Sequence, residues 1–179
     1  MTAFDVVFLD RDGTINEKAP EGGYISSPAD LQLLPGAAAA VAAINASGAE
    51  VVVVTNQRGV ALGRMSAQDV MAVNARLDHL LAAQGARVDA YYVCPHDAGS
   101  CDCRKPLPGL VLRALADRPG TVASRCVLVG DAESDVEAGL AAGTRAVRLA
   151  PPGTPTRAEA CRADLASAVL ALLGGNGDG

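Results

Sequence analysis

Two carboxylates sit two positions apart in Asp10-Arg11-Asp12-Gly13-Thr14, directly after the apolar run Phe4 to Leu9. Acids at the end of a buried strand are costly unless a cation offsets them. A hard divalent ion such as Mg²⁺ is the natural partner of such oxygen donors, and Gly13 lets the chain turn sharply beside them. A solvated turn would use the same residue types. After Val51 to Val54 comes Thr55-Asn56-Gln57, a hydroxyl and two amides able to bind an anion through neutral hydrogen bonds, with a turn again the plain alternative. Gly130-Asp131-Ala132-Glu133-Ser134-Asp135 follows another apolar run. Acids there can serve a metal or cap the next helix, and capping is a full alternative for Asp135. In Arg104-Lys105-Pro106, a lysine brought near these carboxylates would balance them and hold a phosphate.

A second chemistry is carried by Cys94, His96, Cys101 and Cys103, spaced C-x-H-x₄-C-x-C. Three thiols and one imidazole make a complete tetrahedral Zn²⁺ set with no open position, which describes a structural site. A loop of free thiols with a surface histidine is the plain alternative. Pro95 and Gly99 suit a tight loop around an ion. Lys105 follows Cys103 by two residues, so the metal would also fix the segment that delivers Lys105 and Arg104. Cys126 falls in a strand run and reads as core. Cys161, on the expected terminal helix, has no assigned role, and His79 reads as a surface side chain.

The elements that must position these groups are legible as apolar runs and helical periods. Strands are expected over Phe4 to Leu9, Val51 to Val54, Tyr91 to Val93, Cys126 to Val129 and Ala146 to Leu149. Continuous valine-rich runs suit strands buried on both faces. Between and after them, helices are expected over Ala37 to Ala46, Ser66 to Gln84, Leu110 to Ala116, Val136 to Ala142 and Ala158 to Leu173. Gly48 and Gly143 serve as stops, and Ser66 with Asp69 forms an acidic capping box. Alternation of strand and helix predicts a mostly parallel sheet with helices on both faces, and ligands in such folds bind beyond the carboxyl ends of the strands. All four polar strings fall at that edge.

The 179 residues are 50% hydrophobic, 20% charged and 3% aromatic. They suit one globular domain, 1–173, with 174–179 as a flexible tail. A net charge of −5 argues against a nucleic-acid partner but permits a small anionic substrate held by local positive charge. The start MTAFDVVFLDRDG lacks a signal-peptide pattern, and no apolar stretch is long enough to span a membrane. An odd cysteine count with clustering points to metal ligands in a reducing compartment. The expectation is a cytoplasmic monomer.

The strings Asp10-x-Asp12-Gly13-Thr14, Thr55-Asn56, Lys105 and Gly130-Asp131-x-x-x-Asp135 together resemble the four motifs of the haloacid dehalogenase superfamily of phosphotransferases, over residues 4 to 149. The longer strings FLDRDGTIN, VVVTNQRG, CDCRKP and VGD, with the Cys/His loop, are similar to one branch. It contains the D-glycero-D-manno-heptose-1,7-bisphosphate 7-phosphatases and the histidinol-phosphate phosphatases. The resemblance implies a Mg²⁺-dependent phosphomonoesterase with Asp10 as nucleophile, forming an aspartyl-phosphate, and Asp12 as general acid and then base. Thr55 and Lys105 would hold the phosphoryl oxygens; from the residues themselves, Asn56 and Gln57 are candidate substrate contacts, and Arg104, diverging from Lys105 along the loop, suits a second phosphate. Asp10, the Asp12 main-chain carbonyl and Asp131 would hold Mg²⁺, and the Cys/His loop a structural Zn²⁺.

No room exists for a large cap domain, so a small substrate is expected, and the resemblance implies that it is a sugar bisphosphate. Histidinol phosphate and a non-catalytic phosphate- or zinc-binding module are the alternatives. The chain departs from the branch at Ala132, where many relatives carry Lys; Arg58 and Arg11 are the candidates to supply that contact.

Overall fold

The computed structural model describes residues 4–174. Six strands, β1 (Val6–Leu9), β2 (Glu50–Asn56), β3 (Ala90–Cys94), β4 (Cys126–Gly130), β5 (Arg145–Leu149) and β6 (Ala160–Arg162), form one sheet in the order β3-β2-β1-β4-β5-β6. Every neighbouring pair is parallel. Five helices accompany them: α1 (Ala37–Ser47), α2 (Ala67–Ala82), α3 (Gly109–Ala116), α4 (Glu133–Ala141) and α5 (Leu165–Gly174).

β1, β4 and the middle of β2 are buried on both faces, while the edge strands β3 and β6 are only partly covered, and the side chains divide by a period of two. Val7, Leu9, Val51, Val53, Val127 and Val129 pack with Val41 and Ile44 of α1, Val73, Leu77 and Leu81 of α2, and Leu165 and Val169 of α5. Val6, Phe8, Val52, Val54, Cys126 and Leu128 face the opposite layer, where Leu110, Val111 and Ala114 of α3 lie. Each layer of the sheet fully buries a single aromatic ring, Phe4 or Phe8, with Tyr91 or Tyr92 only partly covered; alanine-rich helices therefore approach closely, and α1 buries Ala37, Ala38 and Ala40 to do so. The capping box forms as expected: Ser66 Oγ accepts from Asp69 N (3.1 Å) and Asp69 Oδ2 from Ser66 N (2.7 Å).

Two expectations fail at the C-terminal end. Residues 160–162 are not helical but form β6, in register with Val147–Leu149 of β5. The sequence there reads as helix because alanines and charges dominate it, and only pairing with a sheet edge decides otherwise. The last helix therefore starts at Leu165, after Asp164, whose Oδ1 accepts from Ser167 N (2.7 Å). Cys161 consequently lies in a strand. Gly174 ends α5 instead of opening a tail; the rest of the expected tail lies outside the described residues. Among the described residues no helix is long and apolar enough to cross a membrane.

From β1 the chain builds outward to β2 and β3, then crosses back to lay β4 against the other side of β1. That reversal opens a crevice beyond the carboxyl ends of β1 and β4. No large insertion covers it: residues 10–36 hold one short 3₁₀ turn, and residues 57–89 hold α2 alone.

Candidate active site

Asp10 follows β1 and donates its backbone N–H to Val129 O of β4 (3.0 Å), which places its side chain at the crevice. Asp131 follows β4. Carboxylate oxygens of Asp10, Asp131 and Asp135 lie within 4.8 Å of one another. Lys105 reaches them from the loop after the cysteine cluster. Its ammonium donates to Asp10 Oδ1 (2.8 Å) and Val54 O (2.7 Å) and pairs with Asp135 Oδ1 (2.6 Å). A lysine this buried keeps its charge because anionic partners and a carbonyl face it. Burial works against its charge, but Asp10 and Asp135 outweigh that and raise its pKa. Burial pushes the Asp10 carboxyl up, to about 7, against the pull of Lys105 and helped by Asp135.

Asp135 has a double task. Its Oδ2 accepts from Ala132 N (3.0 Å), capping α4, while Oδ1 holds Lys105. Both oxygens are thus committed, leaving Asp10 and Asp131 as the side chains open to a cation. Asp131 Oδ1 is buried without a hydrogen-bond partner, the condition of an oxygen suited to a hard ion. Gly130 and Gly13 make this packing attainable. A Cβ on Gly130 would overlap the Asp135 carboxylate, and one on Gly13 (φ 86°) would overlap Asp131 and Lys18.

Asp12 is held differently. Its carboxylate accepts from Asn16 Nδ2 (2.8 Å), Gln57 Nε2 (2.9 Å) and, through both oxygens, the Arg11 guanidinium (3.2 Å each). Gln57 Nε2 also donates to Thr55 Oγ1 (2.9 Å), tying the two strand ends together. Asn56 clamps the Lys105 peptide, donating to its carbonyl (3.0 Å) and accepting from its N–H (3.1 Å). Asn56 and Gln57 line a cleft of about 250 Å³ with Asp12, Lys18 and Tyr24, but their amides are engaged in holding Lys105 and Asp12. Arg104 lies on the cysteine loop with its Nη1 3.5 Å from His96 O.

Neither arginine expected to stand in beside Ala132 does so. Arg11 is fully buried behind Asp12, and Arg58 pairs with Asp97 on the surface. While Arg148 Nε donates to the Asp131 main-chain carbonyl (3.4 Å), the cation paired with the Asp131 carboxylate is Lys18. Nothing in the string Asn16-Glu17-Lys18-Ala19 signals this, because it depends on how the loop after β1 folds back over Gly13.

Cys94, His96, Cys101 and Cys103 converge at the end of β3. The contacts Cys94–Cys101 (3.7 Å), Cys94–His96 Nδ1 (3.7 Å), His96 Nδ1–Cys103 (3.3 Å) and Cys101–Cys103 (3.4 Å) approach the edges, about 3.8 Å, of a tetrahedron with ~2.3 Å metal–sulfur arms. The three cysteines are free thiols, their sulfurs far beyond a ~2.05 Å disulfide. Burial drives the Cys94 thiol up to about 12. Burial would raise Cys101 too, yet the backbone N–H groups of Cys103 and Arg104 bring it down to about 7. Three thiolates cannot share this loop without a cation, and the donor set fits Zn²⁺.

Residues 102–168 match the HAD-hydrolase-like family. The chain is 45% identical over 132 residues to the D-glycero-alpha-D-manno-heptose-1,7-bisphosphate 7-phosphatase of Mycobacterium tuberculosis, covering 73% of this chain and 69% of that one. It is 38% identical to the D-glycero-beta-D-manno-heptose-1,7-bisphosphate 7-phosphatase of Vibrio cholerae, covering 83% and 82%. The crystal structure of the D,D-heptose 1,7-bisphosphate phosphatase of B. bronchiseptica, complexed with magnesium and phosphate, superposes with a TM-score of 0.84 at 32% identity, covering 96% of this chain and 99% of that one. With its acids at the β1–β4 crevice, its buried lysine and its cysteine loop, the chain belongs to the heptose-1,7-bisphosphate 7-phosphatase family of haloacid dehalogenase-like phosphatases.

Proposed function

We propose that this protein is a Mg²⁺-dependent phosphomonoesterase that removes the 7-phosphate from D-glycero-D-manno-heptose 1,7-bisphosphate. The observation that carries the reading is the buried Lys105 ammonium, 2.8 Å from Asp10 and 2.6 Å from Asp135, beside Asp131 with its unpartnered oxygen. A carboxylate attacks a phosphate dianion only where cations neutralise both partners.

Asp10, Asp131 and the Asp12 main-chain carbonyl would hold Mg²⁺, which when bound neutralises phosphoryl charge. Asp10 is the nucleophile, and Thr55 and Lys105 hold the phosphoryl oxygens. As the Asp10–phosphorus bond forms and the phosphorus–sugar oxygen bond breaks, Asp12 gives its proton to the leaving oxygen. Asp12 then takes a proton from water as that water attacks the aspartyl-phosphate, freeing inorganic phosphate and restoring Asp10. The Cys/His set would hold Zn²⁺ and stiffen the loop that carries Arg104 and Lys105. Arg104 would meet the second phosphate, and the cleft beside Lys18, Tyr24 and Asn56 would take the sugar.

A side-by-side assay of heptose 1,7-bisphosphate and histidinol phosphate tests the reading. Release of phosphate from the bisphosphate at the higher kcat/KM is expected, with Asp10→Asn inactive. Preference for histidinol phosphate would overturn the substrate, and more than a tenth of wild-type turnover in Asp10→Asn would overturn the nucleophile. Absence of turnover with any phosphate monoester would leave a binding module as the better description.

A further inference from the structure

We propose that Asn74, on α2 and outside every strand-end motif, is a positioning residue for the general acid Asp12, acting through Arg11. This deepens the phosphatase reading and rests on it.

Arg11 is 0% exposed although it carries a permanent charge. Its guanidinium spends three donors in one plane: Nε on Asp12 Oδ1 and Nη2 on Asp12 Oδ2, each 3.2 Å, and Nη1 on Asn74 Oδ1, 2.8 Å. A fork that binds both oxygens of one carboxylate fixes the plane of that carboxylate, but only if the fork itself cannot swing. Asn74 supplies the anchor. It is 8% exposed, in the helix whose Val73, Leu77 and Leu81 sit in the core. Its helical turn is held from the sheet side as well, since the Tyr91 hydroxyl of β3 donates to Asp78 Oδ1 (2.6 Å). Gln57 meets Asp12 at the cleft and the buried Asn16 meets it from the loop after β1, so the carboxylate is gripped by two amides as well as by the Arg11–Asn74 pair. These four donors fill the ionised carboxylate, so the Gln57 amide at the cleft must release Asp12 Oδ2 when Asp12 carries the proton; the proton then goes where Arg11 aims that oxygen, and Asn74 sets the aim without touching substrate.

Asn74→Ala leaves Nη1 of a buried guanidinium without its acceptor, and the fork turns away from Asp12. The consequence falls on the step that needs an acid. Cleavage of a sugar phosphate expels a poor leaving alkoxide and requires the proton, whereas 4-nitrophenyl phosphate expels a phenolate that leaves unprotonated. The ratio kcat/KM reads only through loss of the leaving group, not through later hydrolysis of the phosphoenzyme.

Wild type, Asn74→Ala, Asn74→Asp and Arg11→Lys are compared on heptose 1,7-bisphosphate and 4-nitrophenyl phosphate, with Tm and zinc content recorded for each. Asn74→Ala and Arg11→Lys are expected to lose tenfold or more in kcat/KM on the sugar ester and less than threefold on the aryl ester. Asn74→Asp, which keeps the acceptor, should stay within threefold of wild type on both. Equal losses on the two esters, in a variant that keeps its Tm and zinc, would reduce Asn74 to a structural residue and overturn the proposal. So would an unchanged sugar-ester rate in Asn74→Ala. If Asn74→Ala does not fold, the two-ester comparison on Arg11→Lys decides. Wild-type protein inert towards both esters would overturn the phosphatase reading, and this inference with it.

Discussion

Removing the charge of Asp10 should stabilise the protein while ending its chemistry. Burial moves the Asp10 carboxyl from 3.8 up to about 7. At about 1.4 kcal/mol per tenfold change in proton affinity, this sets a ceiling of roughly 4 kcal/mol on what the charge costs the fold in alkaline solution. Between the unfolded value of 3.8 and the folded value of about 7, the folded protein keeps a proton that the unfolded chain has released. Stability therefore falls as pH rises through that window and stays low above it. Asp10→Asn keeps the shape and removes the titration. Lys105 is not stranded, because Asp135 and Val54 O remain 2.6 and 2.7 Å away. The value of about 7 already includes the pull of Lys105, so only relaxation of the site trims the ceiling, to a gain of about 1–3 kcal/mol, or roughly 3–10 °C in Tm for a chain of this length. The assay is calorimetric melting of zinc-loaded, magnesium-free protein at about pH 5 and 8, chosen to bracket the upper part of the window. The variant should melt higher at the alkaline pH, and the gap should shrink at the acidic one. Added Mg²⁺ should raise the wild-type Tm and leave the variant's nearly unchanged. A variant no more stable than wild type at the alkaline pH, or a gap of equal size at both, would refute the reasoning.

Gly130→Ala should displace the Asp135 carboxylate that its Cβ would overlap, breaking the Lys105 pair. A loss of about 3 kcal/mol in denaturant unfolding and at least a tenfold fall in kcat are expected. Cys103→Ser should strip the metal: elemental analysis should give about one zinc per wild-type chain and far less in the variant, with a lower Tm. Arg104→Ala should raise KM for the bisphosphate strongly and for a simple monophosphate much less if Arg104, held on the loop near His96 O, serves the second phosphate as proposed; equal effects on the two would remove that role.

Most of the fold was legible because its signal is local. Four consecutive valines in β2, the Ser66–Asp69 box and the glycine after α1 each act within a few residues, and their order implies the parallel sheet. β6 was not legible, for the opposite reason. Ala160, Cys161 and Arg162 have no strand character of their own and become a strand only against β5. The same division runs through the site. Asp10, Asp12, Thr55, Lys105 and Asp131 sit at strand ends or in a short cysteine-anchored loop, where motif spacing carries them. Lys18 and Asn74 are supplied by a returning loop and a helix face, Lys18 lying 113 positions before the Asp131 it meets and Asn74 63 positions after its partner Arg11.

Asp135 shows why the two kinds of information cannot be separated. As a sequence position it is an ordinary N3 acid, explained by its bond to Ala132 N. In three dimensions the same carboxylate is 1% exposed and holds Lys105, so the helix cap and the charge balance of the site are one interaction. An acid with a single role would tolerate Asn, which can still accept from Ala132 N. With two roles it should not: Asn would cap α4 yet remove one of the two anions facing a buried ammonium, and Lys105 would lean wholly on Asp10. That stronger pull would hold the Asp10 carboxylate against Lys105 instead of freeing it for phosphorus. Asp135→Asn should therefore keep the α4 fold, measured by far-ultraviolet circular dichroism, while losing at least tenfold in kcat. Wild-type turnover in that variant would show that the cap alone accounts for Asp135.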